Sequence, residues 1–464
     1  MNKSIPAIMV AGTHSGCGKT SAALGLMAAL KEKGLEVAPF KVGPDFIDPG
    51  YHEVLCQRPS YNLDTWMNDD ATVRQIFLQG SRGADIAVIE GVMGLFDGAA
   101  GQYGPGASAH VAKVLGVPVL LVVDSSHMAA SIAALIKGFI ELDPEVKFAG
   151  VLINQVASPR HEHIIKKALE KLGLEWYAYM PRNQEINIPS RHLGLVTIHD
   201  QQEIKDLFSN LASWVKQYCD IEGLLKTLAD SPFPASEPSD STLFKERICS
   251  DGPVIGIARD EAFCFYYQTT WDLLASCGAK LAFFSPLRDK QLPPNVQALY
   301  FGGGYPELYA KKLSENNSML KAVQKASISG MPIYGECGGF IYLCKGILDE
   351  DGKRFPWCSI FPFWTKMEKR FQALGYREVT IVKDSILGSC GSKLRGHEFH
   401  YSRLMPIKDE PVPEQIYQVK DAEGNPCSSG GWIINKTLGS YIHLHFGSHL
   451  DSVQEFIRSA AAYG

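Results

Sequence analysis

The sequence predicts two α/β domains in tandem, each built on a largely parallel β-sheet. Three observations carry this expectation. At 464 residues the chain is too long for one ordinary hydrophobic core. Short β-branched runs alternate with amphipathic helical stretches, the pattern of strand–helix–strand units. The alternation breaks at "LADSPFPASEPSDSTLF", near residues 229–244, where Pro, Ser and Asp crowd out apolar residues, and then restarts. The expected division is residues 1–232, a linker at 233–247, and residues 248–464.

In the first domain "AIMVAG", "DIAVIEG", "VPVLLVVD" and "FAGVLINQV" read as parallel strands, apolar throughout because helices cover both faces of such a sheet. In the second, "GPVIGIARD", "AKLAFFSPL", "QALYFGGGYPE" and "MPIYGEC" repeat the pattern. Hydrophobic and charged contents of 45% and 20% are those of a soluble globular chain. A net charge of −5 argues against nucleic acid or an anionic membrane as partner. No apolar run reaches the length of a membrane span, and the N-terminus lacks the basic region and cleavage site of a signal peptide. Eleven cysteines without a CxxC pair argue against a zinc site or disulfide framework and for a reduced, cytoplasmic setting.

The first strand leads into Gly12-Thr13-His14-Ser15-Gly16-Cys17-Gly18-Lys19-Thr20 and then a helix. Glycines let backbone N–H groups converge on phosphate oxygens, and the helix N-terminus adds favourable partial charge. Lys19 is placed for the β/γ-phosphates of a nucleotide, and the Thr20 hydroxyl for Mg²⁺. The spacing is GTx₄GKT, so Gly12 stands one place earlier than in the common phosphate loop and Thr13 takes its place. Acidic residues follow where a metal–nucleotide site wants them. "KVGPDFIDPG" carries Lys41, Asp45 and Asp48; "IAVIEGVMGLFDG" ends a strand at Glu90 and continues to Asp97. Mg²⁺ takes one or two carboxylates plus phosphate oxygens, which fits Thr20 with Asp45 or Glu90. Asp48 and Asp97 precede Pro or Gly and also read as turn formers.

In "MPIYGECGGFIYL" a strand stops at Glu336 and Cys337 opens a helix, with Gly338 and Gly339 behind it. A nucleophile on such a turn is held out of the fold, and the helix N-terminus is expected to lower its thiol pKa. Gly302, Gly303 and Gly304, after another strand, are candidate sources of oxyanion N–H donors. "GSYIHLHFGS" places His443 and His445 on one face of an extended segment. His443 is the candidate base for Cys337, with His445 orienting or flanking it. A zinc site from His397, His400, His443 and His445 is the competing reading, although "RGHEFHYS" reads better as structural or substrate-contacting.

The second half, on "GGGYPEL", "ECGGFIYL", "GHEFHYS" and "YIHLHF", resembles class I glutamine amidotransferase domains of the cobyric acid synthase type. The first half, on its GTx₄GKT loop, is similar to the dethiobiotin synthetase group of P-loop enzymes. With "PFKVGPDFIDPGYH", "YNLDTW" and "EGVMGLFDG", the whole chain resembles the cobyrinate a,c-diamide synthase family. That resemblance implies an N-terminal dethiobiotin synthetase-like P-loop NTPase domain and a C-terminal flavodoxin-like amidotransferase domain. It implies a ligase that consumes ATP with Mg²⁺, draws ammonia from L-glutamine at Cys337, and amidates the a and c acetate side chains of cobyrinate, a tetrapyrrole of cobalamin biosynthesis. It places Lys41 among the nucleotide contacts, Asn154 at the adenine, Asp48 and Asp97 on the substrate side, and Gly303, Gly304 and Gly338 around the oxyanion and glutamine. Two departures matter: His445 stands where many class I amidotransferases carry a third-member Glu, leaving a Cys337–His443 dyad, and Phe46-Ile47 replaces the usual Tyr-Leu.

Two other functions compete. Ni-sirohydrochlorin a,c-diamide synthases of coenzyme F430 biosynthesis share nearly all these motifs. A partitioning-type P-loop switch protein without amidotransferase activity would carry a second lysine near the start of its loop. Positions 12–18 have none, and that reading leaves Cys337 and His443 unexplained. Arg182, Arg191 and His192 are candidate contacts for substrate carboxylates.

Overall fold

The computed structural model describes residues 5–170, 172–173, 177–183, 201–229, 243–244, 252–349 and 351–464. The chain divides into two compact units, Met1–Ser241 and Thr242–Gly464. Of the expected linker, only Leu243 and Phe244 fall within the described residues. Among those residues no helix is long and apolar enough to cross a membrane.

The first unit is built on seven strands: β1 (Ala7–Gly12), β2 (Val37–Val42), β3 (Tyr61–Leu63), β4 (Ile86–Glu90), β5 (Val119–Asp124), β6 (Phe148–Val156) and β7 (Tyr177–Pro181). They lie in the order β3-β2-β4-β1-β5-β6-β7, every pairing parallel. Burial explains their composition. β1, β2 and β4 are buried at every residue, so both faces are apolar and no alternation is seen. β1 lies between β4 and β5, so its carboxyl end, the entrance to the glycine loop, sits beside the ends of both neighbours. Ligands of open parallel sheets bind at that edge. Helix α1 (Lys19–Glu32) buries Ala22 through Leu30. Its Gly25 meets the helix Gln201–Tyr218 so closely that a Cβ there would lie 2.5 Å from Val215 Cγ2. This contact clamps the helix that carries Lys19 and Thr20.

The second unit contains β8 (Val254–Ala258), β9 (Lys280–Phe284), β10 (Val296–Phe301) and β11 (Ile333–Glu336). Their order β9-β8-β10-β11 continues through the parallel strand Thr437–Ser440, the 2-1-3-4-5 order of flavodoxin-like sheets. Gly431–Ile434 and Glu414–Gln415 extend it antiparallel. A separate antiparallel sheet contains Ala373–Ile381, Lys393–His400 and Ile442–Leu444. The chain therefore passes from the main sheet to the second sheet at Tyr441, which is buried against Phe340. That crossing brings His443 to the end of β11.

Candidate active sites

The glycine loop of the first unit has Gly16 and Gly18 in the left-handed region, at φ 87° and 102°, where only glycine is unstrained. Gly12 is required for a different reason. A Cβ there would fall 2.2 Å from Cys17 Sγ and 2.9 Å from Lys19 Cγ, because the loop folds back over this residue. The displaced first glycine is thus a packing requirement of this loop. Lys19 donates to the His14 carbonyl at 2.9 Å, spanning the loop, and Thr13 Oγ1 pairs with His14 Nδ1. Asn154, expected at the adenine, braces the loop in this structure. Buried on β6, it donates from Nδ2 to the Cys17 carbonyl at 3.0 Å, while its Oδ1 accepts the Gln155 N–H.

Behind the loop lies a buried charged cluster. Thr20 Oγ1 donates to Glu90 Oε1 at 2.7 Å, and Lys41 Nζ reaches the same oxygen at 2.8 Å and Asp48 Oδ2 at 2.6 Å. His52 completes it, with Nε2 2.9 Å from Glu90 Oε2 and Nδ1 3.1 Å from Ser60. Burial alone would lower the Lys41 pKa, but Glu90 and Asp48 outweigh it and hold the ammonium above its usual value. Burial likewise disfavours ionised Glu90, yet Lys41 and His52 hold it well below the usual carboxylate range. Asp48, expected on the substrate side, is 3% exposed and serves Lys41 as counter-charge. Asp45, expected at the metal, accepts the Ile47 and Asp48 N–H groups and so starts helix α2 (Ile47–Cys56). Asp97 accepts the Gly94 N–H at 2.8 Å, the turn role open to it from sequence. Its loop nonetheless lies against the phosphate loop, since Leu95 N donates to the Gly12 carbonyl at 2.7 Å. Thr20 and Glu90 present two hard oxygens beside the loop, a donor set suited to Mg²⁺ held jointly with phosphates.

In the second unit β11 ends at Glu336, and the helix Gly338–Leu343 begins immediately after Cys337. Cys337 has φ 44° and ψ −103°, a strained conformation that holds its side chain out of the strand-to-helix turn. The following glycines permit it: a Cβ on Gly339 would lie 2.2 Å from the Phe301 carbonyl, and one on Gly338 3.0 Å from Gly304 N. The expected lowering of the thiol pKa does not occur. Burial pushes it up, with the carboxylate of Glu307 adding to the effect, and a six-residue helix offers little opposing field. Proton removal must therefore come from a neighbouring base.

His443, the expected base, lies at the same end of β11, since the Leu444 N–H that follows it donates to Glu336 Oε1 at 2.9 Å, one residue before Cys337. A Cβ on Gly303 would fall 2.3 Å from His443 Cε1, so the glycine admits the imidazole. Gly303 itself is corrected as an oxyanion donor, because its N–H is used by the Phe265 carbonyl at 3.2 Å. Gly304 and Gly338 remain the candidates. His445 packs its ring 4.7 Å from that of Tyr267, and neither of its nitrogens has a hydrogen-bond partner among the described residues. Among the described residues no group of three or more His, Cys, Asp or Glu is arranged to hold a metal. Arg191 and His192 lie outside the described residues; Arg182 extends β7's pairing with a backbone bond to Val156.

The CobQ/CobB/MinD/ParA nucleotide binding domain family matches residues 8–196, and the CobB/CobQ-like glutamine amidotransferase domain family matches residues 254–450. Cobyrinate a,c-diamide synthase of Dehalococcoides mccartyi (strain ATCC BAA-2266 / KCTC 15142 / 195) is 41% identical over 99% of this chain and 99% of its own. Those of Caldanaerobacter subterraneus subsp. tengcongensis and Salmonella typhimurium are each 39% identical over 98% of both chains. The chain belongs to the cobyrinate a,c-diamide synthase family. It is accordingly a glutamine-dependent amidotransferase enzyme, with a P-loop NTPase domain followed by an amidotransferase domain.

Two residues of this family member escape a sequence reading. His52 had a usable signal, since it stands four residues after Asp48 and so shares its face of α2. Glu336 had none: its partners are Tyr300, Tyr334 and the Leu444 N–H, distributed over three strands.

The buried groups of the second unit also set a pH dependence. Burial pushes His443 and His445 from 6.5 down to about 3, and Glu336 and Glu307 from 4.5 up to about 7. Below 6.5 the unfolded chain binds histidine protons that the native chain refuses, so stability falls with pH. Between 7 and 4.5 the glutamates act oppositely, and the two pairs nearly offset. Below 4.5 the histidines alone of these four groups act, each removing ~1.4 kcal/mol per pH unit. His445→Phe should flatten the decline in unfolding free energy between pH 4.5 and 3 by about that amount. Denaturant titrations of both proteins test this, and parallel declines would show that His445 is protonated normally in the native state.

Proposed function

We propose that this enzyme catalyses the ATP- and glutamine-dependent amidation of the a and c acetate side chains of cobyrinate, through acyl phosphates, in cobalamin biosynthesis. The observation carrying this is one chain that pairs a Thr20–Glu90 phosphate-loop site with a strained Cys337 turn, at whose strand end the segment carrying the buried His443 is bonded to Glu336. The full-length relatives named for that reaction support the substrate.

A carboxylate is a poor electrophile, so transfer of the ATP γ-phosphoryl group to it makes an acyl phosphate that ammonia can displace. Thr20 and Glu90 would hold Mg²⁺ together with the phosphates, and the ion would supply charge neutralisation for that transfer. Lys19 stabilises the transferring group, and Lys41 keeps Glu90 ionised and fixed. In the second unit His443 takes the Cys337 thiol proton, the sulfur attacks the glutamine carboxamide carbon, and the C–N bond breaks. His443 returns the proton to the leaving ammonia, and water hydrolyses the thioester to glutamate. Gly304 and Gly338 N–H groups stabilise the oxyanion.

Purified protein supplied with ATP, Mg²⁺ and glutamine should diamidate cobyrinate faster than Ni-sirohydrochlorin, as followed by mass spectrometry. The two substrates differ in ring shape more than charge, so the Phe46-Ile47 segment before the Asp48 turn is the expected discriminator. A clear preference for the nickel tetrapyrrole would overturn the substrate assignment. Absence of glutaminase activity would overturn the reaction class.

A further inference from the structure

A base that takes a thiol proton becomes a cation, and a third group normally orients it and stabilises that charge. His445 does not serve His443 in this way, since its ring is occupied against Tyr267. Among the side chains around His443, which include His397, His400 and Glu398, Glu336 brings its Oε2 to 4.0 Å from Nδ1. Glu336 is 2% exposed and rigidly held. Its Oε2 accepts the Tyr300 hydroxyl at 2.8 Å, and its Oε1 accepts the Tyr334 hydroxyl at 2.7 Å and the Leu444 N–H at 2.9 Å. The last bond pins the peptide that follows His443, so the carboxylate fixes both the backbone and the ring environment of the base. Glu336 also precedes Cys337 directly, coupling nucleophile and carboxylate through one peptide bond.

We propose that Glu336 is the positioning residue of the glutaminase site, holding the His443 imidazole and stabilising the imidazolium formed when it takes the Cys337 proton. The assignment rests on the thiol glutaminase proposed above. With Glu336 on the Nδ1 side, Nε2 is left to receive the proton: S–H breaks, N–H forms, and the positive charge created sits 4.0 Å or less from a carboxylate. A carboxylate at 4.0 Å is beyond hydrogen-bond reach of neutral imidazole, and the imidazolium draws the pair together only during turnover. Glu336 must be ionised to act. Burial opposes that, while the Tyr300, Tyr334 and Leu444 donors favour it, and its balance near 7 puts the switch in the working pH range. The groups facing it are the phenols of Tyr300, Tyr334, Tyr266 and Tyr417, the Cys337 thiol, and His443.

Glu336→Gln keeps the volume and the acceptor for Tyr334 and Leu444 but removes the charge. Glutaminase kcat should fall on the order of 100-fold with little change in the KM for glutamine, and amidation from ammonium should persist. Alkylation of Cys337 by iodoacetamide, without substrates, should slow and lose its rise near pH 7. Tyr334→Phe provides an independent arm: losing one donor raises the Glu336 pKa, so the acid limb of the glutaminase profile should move to higher pH. Wild-type kcat in Glu336→Gln, or an unmoved acid limb in Tyr334→Phe, would overturn the assignment. So would equal losses in the glutamine- and ammonium-driven reactions of Glu336→Gln, which indicate a structural role. If Cys337→Ala itself retains glutaminase activity, the glutaminase site fails first, and the two failures are thereby told apart.

Discussion

Cys337→Ala is expected to abolish glutamine-dependent amidation, by at least ~1000-fold, while amidation from high ammonium proceeds near the native rate. The thiol is the only group in the proposed scheme that forms a bond to glutamine, and no step at the phosphate loop requires it. Alanine removes only the sulfur and adds no bulk to the crowded turn, where φ is 44° and Gly338 and Gly339 lie close to Gly304 and Phe301. The fold should therefore survive, which ammonium-dependent turnover itself reports. Parallel assays with glutamine and with ammonium chloride decide the matter. Loss of both activities in a folded protein would mean that nitrogen release and carboxylate activation are not divided between the two sites as proposed.

Lys41→Met should have the largest effect on the first unit. Lys41 is 1% exposed and bonded to two carboxylates, one of them, Glu90, within 2.7 Å of the Thr20 hydroxyl. Methionine fills most of the lysine stem but leaves Asp48 and Glu90 buried without their cation. Removing one partner of such a cluster costs about 3–5 kcal/mol, far more than an exposed pair. The remaining carboxylates should take up protons near neutral pH, so Glu90 no longer presents an ionised oxygen to the Thr20 site. ATP-dependent product formation should collapse, while glutamine hydrolysis at Cys337 continues. Thermal unfolding and the two assays together test this. A melting temperature within a degree or two of wild type would show that the cluster gains nothing from its cation.

The local devices of this protein are legible in its sequence because they depend on neighbours in the chain. Glycines at 16 and 18 follow from positive φ in a loop between an apolar strand and a helix. The Cys337 turn follows from a strand that ends at Glu336 and the glycines behind it. The buried strands follow from uninterrupted apolar runs, since a sheet covered on both faces leaves no position for polar alternation. Roles that depend on distant partners were decided only by the tertiary structure. Asn154 ends a strand in either reading, but it supports Cys17 because parallel packing brings together residues 137 apart. Asp48 looks like a turn former until α2 buries it against Lys41. Gly303 looks like an oxyanion donor until the isolated bridge to Phe265 takes its N–H. The thiol pKa moves opposite to the helix-terminus expectation, because desolvation at the turn, with the Glu307 carboxylate adding to it, outweighs the field of a six-residue helix. Glu336 reaches His443 and, across 108 residues, Leu444, because the chain changes sheets at Tyr441. Propensity and spacing act over a few residues, whereas hydrogen-bond satisfaction and desolvation act on whatever the fold brings into contact.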